Sequence, residues 1–132
     1  MKTYKHIVQY YETDKMGVTH HSNYIRWMEE ARVDFLKQIG WDYKKLEESG
    51  ISSPVVNVTC NYKAPTTFAD EISILVFVDE IRGVKLRIKY IMMNEEGKVV
   101  AEGGSEHGFF NAEGKPVRLS TELPGFYEAL IA

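Results

Sequence analysis

Residues 22–38 carry a long helical repeat in a sequence that is otherwise patterned mostly for strands. Apolar side chains recur there every three or four residues, as they do on one face of an amphipathic α-helix. The repeat consists of Tyr24, Trp27, Met28, Ala31 and Phe35. About 16 residues at ~1.5 Å each make a rod of roughly 24 Å, which is long enough to cross a whole sheet. Leu36 and Ile39 widen the apolar stripe, so we expect this helix to be well buried.

Five further segments alternate between apolar and polar residues with the two-residue period of β-strands. They cover residues 3–10, 55–63, 71–81, 84–93 and 98–110. The second segment is predicted to have one apolar face, made of Val56, Val58, Cys60 and Tyr62. Arg82-Gly83 is a tight turn signal between the third and fourth segments.

Two short helical segments complete the pattern. Asp42 is placed to cap a helical turn that Gly50 ends, and Ser120 or Thr121 is expected to cap a short C-terminal helix. A strand, a long helix and four strands joined largely by hairpins predict an α+β fold, with one long helix wrapped by a curved antiparallel β-sheet. The 132 residues are the usual size of one domain, so we expect a single domain over residues 1–132.

Composition and charge limit which binding partners and which cellular compartment are expected. The net charge of −3 argues against a nucleic-acid partner, which needs a clear basic surface. Cys60 is the one cysteine, so no intrachain disulfide can form, and this favours a reducing, cytoplasmic location. No apolar run approaches the roughly 20 residues that span a bilayer. Because the edges of such a sheet are commonly closed by a second subunit, we expect a homo-oligomer, either a dimer or a tetramer.

The stretch from Tyr11 to Tyr24, YETDKMGVTHHSNY, places acidic residues just ahead of the long helix. A helix N-terminus presents unpaired N–H groups and a positive dipole end, so it can hold a carbonyl oxygen that gains charge. A carboxylate from Glu12 or Asp14, beside Gly17, could attack that carbonyl or activate water against it. The pattern therefore suggests hydrolysis of an activated acyl compound, although acidic loop residues are ordinarily just solvated.

Other kinds of site find less support. His20 and His21 are adjacent, so they cannot share one face of a regular element, and no metal site is expected. There is no Gly-x-Ser-x-Gly elbow, and Cys60 lies on the apolar side of a predicted strand, as a buried structural thiol would. Glu29 and Glu30 on the helix are interpreted as solvent-facing or ion-paired.

The stretch from Tyr11 to Arg32, YETDKMGVTHHSNYIRWMEEAR, closely resembles the signature of the 4-hydroxybenzoyl-CoA thioesterase family of hotdog-fold acyl-CoA thioesterases. YKAPTTFADEISI, residues 62–74, looks like the family's second strand and the turn into its third. The resemblance runs over essentially the whole chain. It implies a hotdog fold, an acyl-CoA substrate and no cofactor.

The resemblance also implies roles for individual residues. Asp14 would be the catalytic carboxylate, as nucleophile or general base, and the amide N–H of His21 would polarise the thioester carbonyl. Gly17 would allow the tight loop that lets substrate approach, while Thr19 replaces the commoner valine and adds a hydroxyl. Coenzyme A would be gripped by basic residues that match the family only by position, namely Arg82, Lys85, Lys115 and Arg118.

Two alternatives remain beside a thioesterase that releases carboxylic acid and free coenzyme A. One is a non-catalytic module that binds acyl-CoA or acyl carrier, and the other is a hotdog hydratase or dehydratase. A further hotdog branch uses a glutamate on the long helix as its acid, a position that Glu29 or Glu30 could imitate.

Overall fold

The computed structural model describes residues 2–132 and contains five strands and four α-helices. The strands are β1 (Tyr4–Ile7), β2 (Val55–Tyr62), β3 (Glu71–Arg82), β4 (Lys85–Met93) and β5 (Val99–Gly108). The helices are α1 (Ser22–Gln38), α2 (Tyr43–Glu48), α3 (Leu119–Glu122) and α4 (Pro124–Ile131). A 3₁₀ turn covers Tyr10–Glu12. The predicted α+β fold, with one long helix on an antiparallel sheet, is confirmed.

The sheet has the order β1-β3-β4-β5-β2, and all of its pairs are antiparallel. Strands β3 and β4 form a long hairpin whose tight turn contains Gly83 at φ +60°. The two edges of the sheet are β1, which is short, and β2, which pairs with β5 on one side only.

Several predicted boundaries need correction. The first strand ends at Ile7 rather than at residue 10, because the chain turns into the 3₁₀ segment, where the Glu12 amide donates to the Gln9 carbonyl. The last strand ends at Gly108, and Phe110 instead pairs with Ser52 outside the named strands. The predicted cap at Ser120 or Thr121 is wrong, because α3 already begins at Leu119 and has no side-chain cap.

Helix α1 buries one face against the middle of the sheet. The predicted stripe is confirmed, and the buried side chains of the helix are Asn23, Tyr24, Trp27, Met28, Ala31, Arg32, Phe35 and Leu36. Burial of large apolar side chains of this kind contributes about 1.5–3 kcal/mol each. The helix begins at Ser22 and is ended by Gly40 at φ +83°, a conformation that glycine adopts without steric cost.

A buried polar chain ties the middle of α1 to the sheet. Arg32 donates from Nη1 to the Tyr90 hydroxyl over 3.0 Å, and that hydroxyl lies 2.7 Å from Oγ of Ser105. Ser105 in turn lies 2.8 Å from Nε2 of His107. Burial, together with the nearby Arg32 charge, lowers the pKa of His107 to about 4, so this ring is neutral near pH 7.

The predicted apolar face of β2 is not covered. Val56, Val58 and Tyr62 remain 51%, 41% and 47% exposed, and a register shift between Val55 and Asn57 interrupts the predicted alternation at Val56. The reason is the position of β2 as the edge strand beyond β5: Cys60 packs against the core, and the Tyr62 ring contacts the buried Tyr24 from one side only. Cys60 is therefore half-buried rather than fully buried, and this burial raises the pKa of its thiol. Among residues 2–132, no helix combines the length and apolar character that crossing a membrane requires.

Gly103 on β5 lets α1 approach the sheet. A Cβ built there meets the terminal methyl of Met28 and the carbonyl oxygen of Thr59 far inside contact distance. Gly103→Ala should therefore lower the free energy of unfolding by about 1–3 kcal/mol, as overpacking does. Denaturant unfolding monitored by far-UV circular dichroism measures this change.

The neighbouring Gly104 supplies the matched control. A Cβ at Gly104 lies 3.3 Å from the Ile88 carbonyl oxygen and 3.8 Å from Oγ1 of Thr59, so it has nearly enough room. Gly104→Ala should change the free energy of unfolding by less than about 1 kcal/mol, because the smaller entropy of its unfolded chain offsets the tight contact. Equal losses in the two variants would contradict this account of helix approach.

Candidate active site

Asp14 lies at the tip of a closed loop. Its amide donates to the Val18 carbonyl over 2.9 Å, and its own carbonyl accepts from the Gly17 amide over 3.0 Å. The carboxylate Oδ1 accepts from the Met16 amide at 2.8 Å, and the side chain is otherwise exposed. Gly17 has φ +79°, which favours glycine, so the expected tight loop is present.

The N-terminus of α1 begins directly behind this loop. The His20 amide donates to the Glu12 carbonyl over 2.8 Å, and the Ser22 amide donates to Nδ1 of His20 over 3.2 Å. Between them, the amide N–H of His21 has no acceptor among residues 2–132. Its carbonyl accepts from the Tyr62 hydroxyl at 3.1 Å. The arrangement leaves one N–H at the positive end of the helix dipole available to a ligand oxygen.

The loop is also fastened to the connection between β2 and β3. Oγ1 of Thr67 donates to the Gly17 carbonyl over 2.6 Å, and the Thr19 amide donates to the Thr66 carbonyl over 2.8 Å. The hydroxyl of Thr66 lies 2.6 Å from that of Thr19 and 3.0 Å from that of Tyr24. The extra hydroxyl of Thr19 is therefore satisfied inside the protein, by a partner on the facing connection.

Glu12 is buried, so the alternative of a merely solvated acidic loop is wrong for this residue. Only 4% of it is exposed. Its Oε1 accepts from the Gln9 amide and from Nε2 of His6, and its Oε2 accepts from Nε1 of Trp27, each at 2.8 Å. Burial alone would raise the pKa of this carboxyl, but the three donors together hold it below its usual value.

The glutamates on α1 behave as the sequence suggests. Glu29 is exposed, and Glu30 accepts from the Tyr4 hydroxyl at 2.7 Å and lies 3.0 Å from Nδ1 of His6. Burial and the neighbouring Glu30 raise the pKa of Tyr4 to about 12. Both ring nitrogens of His6 thus face carboxylates, and both contacts are hydrogen bonds only when the ring is doubly protonated.

The basic residues expected to grip coenzyme A lie at the other end of the molecule. Asp14 is near the start of β3, whereas Arg82 and Lys85 flank the turn at its far end. The 12 residues of β3 extend over as much as roughly 36 Å. Lys115 and Arg118 follow the end of β5, where Gly108 pairs with Lys85, so they share that far end. Within one chain, the structure does not bring these basic residues together with Asp14.

Comparison with known proteins gives the family. Residues 8–130 match the model of the thioesterase-like superfamily. The chain belongs to this superfamily. It is 31% identical over 123 residues to a Bacillus subtilis protein named "Putative acyl-CoA thioesterase YneP", covering 92% of this chain and 89% of that one. It is 27% identical over 95 residues to the Escherichia coli "Acyl-CoA thioester hydrolase YbgC", covering 72% and 71%.

Solved structures agree with this assignment to the thioesterase-like superfamily. The DHNA-CoA thioesterase of Staphylococcus aureus superimposes with a TM-score of 0.90 at 32% identity, over 97% of this chain and 87% of that one. The hotdog fold implied by the sequence resemblance is confirmed by such neighbours.

Sequence reasoning missed the side chains that hold this loop in place. His6, Thr66 and Tyr62 were given no role in the site, and Glu12 was considered only as a solvated loop acid or as a carboxylate that acts on the carbonyl, like Asp14. One signal was available, because the alternation of the first strand puts His6 on the same face as Val8, which is fully buried. A histidine on a buried face needs a hydrogen-bonding partner, and the nearest acid along the chain is Glu12.

The two threonine hydroxyls provide a test of the loop's attachment. Thr66→Val should lower the free energy of unfolding by about 1–3 kcal/mol, because it leaves the buried Tyr24 hydroxyl without its partner. Thr19→Val should cost about 1 kcal/mol or less, because the Tyr24–Thr66 bond survives. Denaturant unfolding of both variants measures the difference, and a cost for Thr19→Val that equals or exceeds that of Thr66→Val would contradict it.

Proposed function

We propose that this protein hydrolyses acyl-CoA thioesters to a carboxylic acid and free coenzyme A. The observation that carries the proposal is an exposed carboxylate, Asp14, held on a closed loop beside the unpaired N–H of His21 at the start of α1. The membership in the thioesterase-like superfamily and the names of the relatives support the same reaction.

Asp14 and the helix N-terminus have different roles in the proposed reaction. The thioester carbonyl oxygen accepts a hydrogen bond from the His21 N–H, whose helix dipole stabilises the negative charge that develops in the transition state. The Asp14 carboxylate then either attacks the carbonyl carbon or takes a proton from a water molecule that attacks it. If Asp14 attacks, the carbon–sulfur bond breaks as a mixed anhydride forms between the acyl group and Asp14, and water then hydrolyses this anhydride and frees the carboxylate. If Asp14 acts as the base, the attacking water displaces the sulfur directly. On both routes coenzyme A leaves as a thiolate that takes up a proton, and water supplies the second oxygen of the acid.

The helix glutamates are poorer candidates for the catalytic acid. Glu30 is engaged by the Tyr4 hydroxyl and faces His6, and Glu29 lies on the exposed side of α1 with no helix N-terminus beside it. A catalytic carboxylate has to lie within reach of both the carbonyl carbon and the donor that polarises its oxygen. Asp14 lies on the exposed loop that leads directly into that helix N-terminus, so we favour it over the helix position.

A second subunit would complete the site. The edge strand β2 exposes apolar side chains and unpaired backbone groups, which is a surface suited to pairing with another copy of itself. A two-fold antiparallel pairing of β2 with β2 would place the Tyr62 end of one chain at the Val55 end of the other. It would therefore bring Asp14 of one chain towards Arg82 and Lys85 of its partner. We propose a homodimer, alone or within a tetramer, and the cytoplasmic location stays a prediction.

Asp14→Asn should abolish most of the activity while preserving the loop. The amide oxygen of asparagine can still accept from the Met16 amide, but the side chain is a far poorer nucleophile and base. We expect kcat to fall about 10²–10⁴-fold with little change in KM, because the carboxylate acts mainly in the transition state. Steady-state thiol release from a panel of acyl-CoAs, with the signal of Cys60 subtracted, measures both constants.

Glu29→Gln is the matched control for this prediction, since it neutralises an exposed acid at the helix position. Its kcat should stay within about twofold of wild type. If Asp14→Asn kept more than roughly a tenth of the wild-type kcat, the loss would be smaller than the removal of a general base causes. The loop would then not be the catalytic centre. Absence of thiol release by the wild-type protein from every acyl-CoA would favour the non-catalytic binding module instead.

Mixed dimers test whether one site uses two chains. Asp14→Asn is combined with the double variant Arg82→Ala/Lys85→Ala by co-expression, and hybrids are purified through two different affinity tags. In a hybrid, one of the two sites contains wild-type Asp14 from one chain and wild-type Arg82 and Lys85 from the other. Each parent homodimer should be impaired, the double variant mainly through a higher KM, since phosphate contacts exist in ground and transition states alike.

The hybrid should regain about half of the wild-type kcat per dimer at the wild-type KM. A hybrid of Asp14→Asn with wild-type chains, which also keeps one intact site, provides the reference value. A hybrid that keeps the raised KM of the double variant would show that Asp14 and the basic residues act within one chain. A double variant with the wild-type KM would show that coenzyme A binds elsewhere.

A further inference from the structure

Glu12 lies buried beneath the Asp14 loop and takes no part in the proposed chemistry. It is two residues before Asp14, and its carboxylate points inward, away from the exposed face on which Asp14 lies. Three donors reach the carboxylate from different parts of the chain: Gln9 beside the 3₁₀ turn, His6 on β1 and Trp27 on α1. Burying a charge costs free energy unless the charged group is fully hydrogen-bonded. A buried carboxylate with three donors therefore needs a structural or functional explanation.

The main chain of the same residue reaches the first turn of α1. The Glu12 carbonyl accepts from the His20 amide at 2.8 Å and from Nδ2 of Asn23 at 3.0 Å. His20 directly precedes His21, whose N–H is the proposed oxyanion donor. Glu12 is therefore joined by its side chain to the core and by its backbone to the helix start, and the chain continues from it to Asp14 within two residues.

We infer that Glu12 is a positioning residue, which holds the Asp14 carboxylate at its working distance from the His21 amide. The inference rests on the proposed function. Glu12 touches no reacting atom, and its effect on the rate is transmitted through Asp14 alone. A misplacement of a catalytic group by about 1 Å can cost a reaction on the order of 10²-fold, so a rigid anchor at this point has a large effect on rate.

Glu12→Gln is the informative substitution, because it keeps the shape and changes the hydrogen bonding. The carboxylate offers two acceptor oxygens to three donors, whereas a glutamine offers one oxygen and turns an NH₂ group towards a donor. Neither Trp27 Nε1 nor the Gln9 amide can accept a hydrogen bond, so at least one contact is lost in either orientation of the glutamine amide. We expect kcat to fall about 10–100-fold, with KM within about threefold of wild type and the dimer still folded.

The decisive experiment is a double-mutant cycle on kcat between Glu12→Gln and Asp14→Asn, measured with one well-hydrolysed acyl-CoA. If Glu12 only positions Asp14, its substitution loses its effect once Asp14 is gone. The 10–100-fold loss in the wild-type background should shrink to less than about threefold in the Asp14→Asn background. A residue that merely stabilises the fold would lower the amount of active protein by the same factor in both backgrounds.

Glu30→Gln is the matched control. It removes the other carboxylate that faces His6, but it leaves all three donors to Glu12 and the loop untouched. Its kcat should remain within about twofold of wild type. If Glu12→Gln does not fold, Trp27→Phe takes its place in the cycle, since it removes the donor to Oε2 and keeps an aromatic ring in the core.

The outcomes separate this inference from the proposed function. Equal losses in both backgrounds, or an unchanged kcat for folded Glu12→Gln, would overturn the positioning role while Asp14 remains catalytic. An Asp14→Asn variant with nearly wild-type kcat would overturn the proposed function itself, and the positioning role with it. A loss for Glu30→Gln as large as that for Glu12→Gln would transfer the role from Glu12 to the His6 ring, which both carboxylates contact.

Discussion

The packing of α1 across the sheet determines where the N-terminus of the helix and the loop in front of it lie. The helix buries a face of aromatic and aliphatic side chains, and Gly103 lets it lie close to β5. Its rotation is fixed by Arg32, which donates to Tyr90 on β4. These contacts hold the helix in position along its axis, and its N-terminus lies beside the connection between β2 and β3. That position allows a single backbone N–H to remain unpaired without disordering the helix start.

The loop in front of α1 gains its order from long-range contacts rather than from its own sequence. Glu12 inserts a charge into the core, and the stabilisation that its three donors provide offsets the cost of burying it. Thr66 and Thr67 fasten the other half of the loop to the facing connection. Asp14 is left as the exposed acid between these attachments, and in the proposed reaction this is the group that needs access to substrate.

Much of the fold could be predicted from the sequence, because periodicity reports which residues share a face. The bounds of α1 at residues 22 and 38 and the apolar faces of β3 and β4 follow directly from spacing. Spacing cannot say what covers a face, so the exposure of Val56 and Val58 on the edge strand was not foreseen. The burial of Glu12 also escaped prediction: the alternation of β1 indicated that His6 needs a partner, but the donor from Trp27 on α1 meets Glu12 only in the folded chain. The separation between Asp14 and Arg82 depends on strand direction, which no local pattern encodes.

The central claim is that the thioester carbonyl binds at the N-terminus of α1 in front of Asp14. A crystal structure of the Asp14→Asn variant with a bound acyl-CoA tests it most directly. The account predicts the thioester carbonyl oxygen within about 3 Å of the His21 amide nitrogen, and the carboxamide introduced by the substitution within about 3.5 Å of the carbonyl carbon. A carbonyl oxygen bound to any other donor, with the introduced carboxamide facing solvent away from it, would contradict the account.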